Sequence, residues 1–195
     1  MDNLKVIYQR VHSERMKSLF REVVTEFPAL YPHTIYFRQV NLARSAMRAQ
    51  PVVNRKFFRR ATREYRIDYS RHQRIAAHTN FSDLPDGIVR GWMAHEAGHL
   101  VDYLDRPWLG MISFGVNYAL NRIYLREAEK RADEIAVAHG FGQEILDTKQ
   151  YLLNNGGLPQ KYRRRLRRYY LSPDEIERLI LAHDAGQRPE IIPVS

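Results

Sequence analysis

The chain has no cysteine among its 195 residues. That absence excludes a disulfide scaffold, a thiol nucleophile and any zinc site built on thiolates. Acidic charge is also short, with 22 Asp and Glu against 31 Lys and Arg, a formal net charge of +9. No run of about 18 apolar residues occurs, so no segment is expected to span a membrane. The first twenty residues, MDNLKVIYQRVHSERMKSLF, lack the apolar core of a secretory signal, which makes the cytoplasm the expected location. Internal repeats, low-complexity stretches and Gly/Ser linkers are missing too. What is present is 44% apolar and 11% aromatic residues, enough to bury a core and to exclude global disorder.

Residues 13–27 place Met16, Leu19, Phe20, Val23, Val24 and Phe27 on one helical face, with Ser13 positioned as N-cap and Pro28 and Pro32 as stops. Between 34 and 78 the pattern becomes β-branched and aromatic. TIYFRQV, the short SAMRA piece, YRIDYS and QRIAA predict three or four strands. After SDLPDG, with Ser82 or Asp86 as caps, a helix is expected over GIVRGWMAHEAGHLVDYLD, with Ile88, Trp92, Leu100 and Leu104 on a stripe. Further helices are predicted at 119–138, 142–154 and 160–170. A last one opens on the capping box Ser172-Pro173-Asp174-Glu175, and the tail RPEIIPVS is extended. A small sheet followed by helices implies an α+β fold. Residues 1–155 form the main domain, and 156–195 a helical C-terminal extension that can belong to the same domain.

Chemistry concentrates at His95-Glu96-Ala97-Gly98-His99. Two imidazoles four residues apart on a helix project from one face and can grip one metal ion, while the intervening Glu can take a proton from metal-bound water. Two helix histidines without a joint role are the plain alternative, but unpaired imidazoles are costly to bury in so apolar a helix. A third ligand has to be His or carboxylate. Glu127, Glu129, Asp133 and Glu134 cluster downstream. Glu129 and Asp133 share a face, so that one can bind metal and the other brace a histidine. The pairs Lys130–Glu134 and Glu127–Arg131 offer a solvated-face explanation for Glu127 and Glu134. That explanation suits Glu129 less, because Ala128, Ala132 and Ala136 mark a closely packed face.

HEAGH followed by Glu129-Lys-Arg-Ala132-Asp133 resembles the gluzincin metallopeptidases, with their HExxH and ExxxD motifs. The E-x-x-A-D form is similar to the membrane CAAX-prenyl/HtpX-like branch and to its short soluble relatives, the minigluzincins. Residues 42–140 carry the resemblance. It implies a zincin-like sheet packed on the HExxH helix and one catalytic zinc ion on His95, His99 and Glu129. It further implies Glu96 as the residue that polarises water and Asp133 as the hydrogen-bond partner of a ligand histidine. Ser45-Ala46-Met47-Arg48-Ala49 resembles the family's substrate-binding edge strand, with Ser45 where the family has Asn; an ordinary strand with Met47 in the core is the alternative. The expected substrate is a peptide or protein. MISFGVNYAL at 111–120 is too short to cross a membrane, which favours the soluble relatives. Such enzymes meet the developing oxyanion with zinc plus a donor, for which Tyr118, Tyr124, His139 and His183 are candidates. His139, at a helix end, is equally explained as a charge complementing the dipole.

Residues 44–74 hold ten cations and two acids, and KYRRRLRR at 161–168 adds six cations in eight residues. With Tyr162, Tyr169 and Tyr170 interleaved, this is compatible with nucleic-acid binding, although arginines along a helix commonly form a solvated face. The segment after Asn154-Asn155-Gly156-Gly157, a hinge by composition, can restrain an open site. Either Ile191, Ile192 and Val194 lie along the edge strand, or His183 or Asp184 approaches the metal; the alternative is that 160–184 completes the core.

Overall fold

The computed structural model describes residues 4–42, 45–70, 80–154 and 160–186. Its sheet is mixed and four-stranded. β1 (Lys5–Gln9), β2 (Thr34–Gln39) and β4 (Tyr65–Tyr69) run parallel, and β3 (Met47–Pro51) pairs antiparallel with β4 at the edge, giving the order β1-β2-β4-β3. β1 has no counterpart among the sequence-predicted strands, and QRIAA lies outside the described residues. Alternation sends Ile35, Phe37, Tyr65, Ile67 and Tyr69 into the core. Helix α1 (Glu14–Thr25) covers that face, capped by Ser13 and stacking Phe20 on Phe37 with ring centroids 4.0 Å apart.

Helix α2 (Asp86–Leu104) is the axis of the molecule. Every residue from Met93 to Leu100 is buried, so the expected apolar stripe is in fact a helix enclosed on all sides. Its N-cap position is Pro85; Asp86 is already helical and pairs with Arg15 across the chain. The predicted helix at 119–138 resolves into two. α3 (Trp108–Leu120) ends there, and the Asn121 side chain caps α4 (Arg122–Ala136) by accepting from Ile123 N and Tyr124 N. A kink at 137–141, where Gly140 takes φ +89°, turns the chain into α5 (Gly142–Asn154). Only a residue without a Cβ adopts that angle cheaply.

Helices α6 (Gln160–Tyr169) and α7 (Pro173–Asp184) follow, and the Ser172–Glu175 capping box forms as expected. Ile176 is fully buried in the main core, so α7 completes the same folded unit. The composition hinge at 155–157 and the tail at 188–195 fall outside the described residues. No described helix is long and apolar enough to cross a membrane.

Candidate metal centre

α2 is approached by α4 and α5 along one face, at Gly98 and Gly91. A Cβ at Gly98 would lie 2.4 Å from the carbonyl oxygen of Ala132, and one at Gly91 would lie 2.2 Å from that of Glu144. Glycine at 98 therefore lets α4 come close enough to bring its carboxylates to the α2 imidazoles. His95 Nδ1 donates to Asp133 Oδ1 (2.8 Å), and His95 Nε2 stands 3.0 Å from Glu129 Oε2. His99 Nε2 lies 3.7 Å from the same oxygen, beyond hydrogen-bond length, and its Nδ1 has no partner among the described residues.

His95, His99 and Glu129 are all buried and offer ligand atoms within 4.8 Å of one another. Donors about 2.0–2.1 Å from a tetrahedral zinc ion sit about 3.3 Å apart. The observed 3.0 and 3.7 Å bracket that spacing. Two imidazoles and one carboxylate, one imidazole nitrogen lacking a close partner, fit a divalent transition metal.

The electrostatics follow from burial opposed by charge. Burial works against protonation of His95, yet Asp133 and Glu129 outweigh it and push its pKa up to about 10. Burial likewise opposes ionisation of Glu129, but the His95 hydrogen bond and the nearby His99 imidazole hold its pKa well below the usual carboxylate range. Glu96 goes the other way. Its burial dominates and raises the pKa, although Ala49 N–H donates to its Oε2 at 2.6 Å.

Lys149 of α5 was not anticipated. Its Nζ lies 2.9 Å from Asp133 Oδ2, and it is 7% exposed. The signal was present, because Lys149 follows Ile145 by four residues and precedes Leu152 by three, a charge set on the apolar stripe of its helix. Tyr118, an oxyanion candidate, instead donates its hydroxyl to Glu129 Oε1. Tyr124 accepts from Arg106 Nη1 at 3.2 Å. His139 stacks on Phe27 with centroids 4.4 Å apart and pairs with the Ile135 carbonyl, and His183 is part-exposed on α7 beside Asp184. Neither of these histidines joins the cluster.

Ser45, Met47 and Ala49 line a cleft of about 990 Å³ that contains His95, Glu96 and His99. Backbone bonds from Ser70 N to Ala46 O and from Val52 N to Glu64 O fix the pairing. With that register, even-numbered residues of β3 bond to β4, and the Met47 N–H and the carbonyls of Met47, Ala49 and Pro51 turn to the open edge, where the Ala49 N–H meets Glu96. The cationic stretches are partly consumed within the fold. Arg63 is fully buried on the carbonyls of Phe57 and Arg106, Lys56 pairs with Glu64, and Arg38, Arg48 and Arg66 gather on Asp68. Tyr170 lies beneath Lys149, and Arg168 covers Tyr169. On α4, Lys130 does pair with Glu134, and Arg131 reaches Asp102 at 2.7 Å. No family model, curated protein or solved structure matches this chain.

Proposed function

We propose that this protein is a zinc-dependent endopeptidase of the gluzincin type, on a zincin-like arrangement of sheet and helices. One observation carries the reading: the buried His95–His99–Glu129 cluster has the Glu96 carboxylate beside it on the same helix and the edge strand β3 across from it.

His95, His99 and Glu129 would hold the ion. When bound, zinc supplies Lewis acidity, polarising a carbonyl and bringing the pKa of water towards about 7. Glu96 takes the water proton and passes it to the leaving amine. The Ala49 N–H holds one of its oxygens while the other accepts. Asp133 fixes the His95 tautomer through Nδ1–H, and Tyr118 orients Glu129. Burial and the Glu129 charge push the Tyr118 pKa far up, keeping its hydroxyl protonated as that donor. An extended peptide adds to the open edge of β3 through main-chain hydrogen bonds.

The decisive comparison uses Glu96→Gln. It should keep about one zinc per chain and the parent fold while losing chelator-sensitive cleavage of a denatured protein mixture. A variant as active as the parent removes the proposed base. Parent protein that holds zinc and binds peptides without cutting them points to a non-catalytic recognition module.

A further inference from the structure

α3 is unlike the other helices. It has no charged residue in thirteen, yet only Met111 and Phe114 of it are buried. Ile112, Val116 and Leu120, which are 50, 52 and 80% exposed, line the same cleft as the edge of β3. Contiguous exposed apolar surface marks a place where something docks. Its concavity argues for a chain lying in the cleft rather than a flat lipid surface.

The opposite face of the sheet has a different character. Arg48 of β3 and Arg66 of β4 lie there, and with Arg38 they share the single carboxylate of Asp68, a local excess of positive charge. Arg48 and Arg66 also border the cleft, as does the exposed Arg165 of α6. A strand added to β3 sends successive side chains to opposite faces. One set falls on the side where Met47 and Ala49 are buried, and the other on the side of Arg48.

We infer that the cleft selects an extended polypeptide segment of alternating apolar and acidic residues, apolar side chains against α3 and carboxylates towards Arg48 and Arg66. This rests on the peptidase reading for what happens next, but the recognition itself is a matter of binding. The apolar wall belongs to α3 and the cationic side chains to β3 and β4, so each can be tested alone.

The test measures fluorescence anisotropy of labelled ten-residue peptides with the zinc-loaded Glu96→Gln protein. The sequences alternate Leu/Glu, Leu/Lys or Ser/Glu. Leu/Glu should bind at least about tenfold more tightly than either of the others, a difference of about 1.4 kcal/mol, and should weaken with added salt. Adding Val116→Ser and Leu120→Ser, both exposed sites, should remove the advantage of Leu/Glu over Ser/Glu. Adding Arg48→Ser should narrow the gap between Leu/Glu and Leu/Lys. Equal binding of the three peptides, or no binding, overturns the proposal without recourse to any protein variant. So does α3-dependent binding to phosphatidylserine vesicles with unchanged peptide affinity, which assigns the apolar wall to lipid. Tight Leu/Glu binding with no cleavage by the parent protein sinks the peptidase reading and leaves the recognition standing.

Discussion

Gly98→Ala is the most direct probe of how the two motifs are brought together. The added Cβ would sit 2.4 Å from the Ala132 carbonyl oxygen, where ordinary contact begins at 3.4 Å. The neighbour is backbone, so no side chain can rotate away. α4 must move by about 1 Å, and Glu129 and Asp133 move with it, while metal–ligand distances tolerate only about 0.2 Å. Overpacking of this kind costs about 1–3 kcal/mol. Zinc affinity should fall on the order of 10–100-fold, the scale of losing a residue that braces a ligand. Competition against a chromophoric chelator measures that affinity, and thermal denaturation with and without zinc measures the stability. Gly115→Ala is the matched control. Beyond its own helix backbone and chain neighbours, no atom of the described residues lies within 4 Å of its Cβ position, so it should leave zinc affinity intact and gain up to about 1 kcal/mol from helix propensity. Parent-like zinc affinity and melting temperature in Gly98→Ala would refute the close-approach argument.

Glu129→Ala should lower zinc affinity far more than Glu127→Ala, read by the same chelator competition; the reverse order removes Glu129 as a ligand. Lys149→Met removes one of two partners of the buried Asp133 carboxylate, His95 remaining, and should cost about 1–3 kcal/mol in urea unfolding. Ile176→Ala should destabilise the whole protein by about 2–5 kcal/mol within a single unfolding transition; a separate low-stability transition would instead make α7 an independent unit. The Lys56 hydrogen bond, reinforced by Asn54 against the opposing effect of burial, lowers the Glu64 pKa. Its stabilising contribution is therefore complete above the ordinary glutamate value of about 4.3 and is lost as pH falls through the lowered folded value. The stability gap between parent and Glu64→Gln should close over that acid range, and a gap unchanged by pH would contradict it.

Spacing made much of this readable. The α1 face, the Ser13 cap, the Ser172–Glu175 box and the pairs His95/His99 and Glu129/Asp133 all depend on residues three or four apart, a distance the helix itself enforces. β1 was not legible because three half-buried residues between exposed Lys5 and Gln9 owe their strand state to a parallel partner beginning at Thr34. α3 escaped because an apolar helix with Pro107 at its N-cap position and no capping side chain has neither a stripe nor a start signal. The Ala49–Glu96 bond uses a backbone N–H, for which every residue type but proline is equivalent. α2 read as amphipathic only because sequence shows which residues are apolar, not how many neighbours will surround them.

The order of elements along the chain has a consequence for biosynthesis. The four described strands are complete by Tyr69, whereas Lys149, the partner of Asp133 behind His95, comes about 80 residues later. At about 5–20 residues per second that interval lasts roughly 4–16 s. Until α2 emerges, α1 is the only α-helix among the described residues available to shield Phe37, Ile67 and Tyr69, and β3 offers an unguarded strand edge. A nascent chain stalled near residue 85 should therefore be sticky and a client for holding chaperones. The candidate ligands His95, His99 and Glu129 are assembled late, so ion capture there would close the folding process rather than seed it.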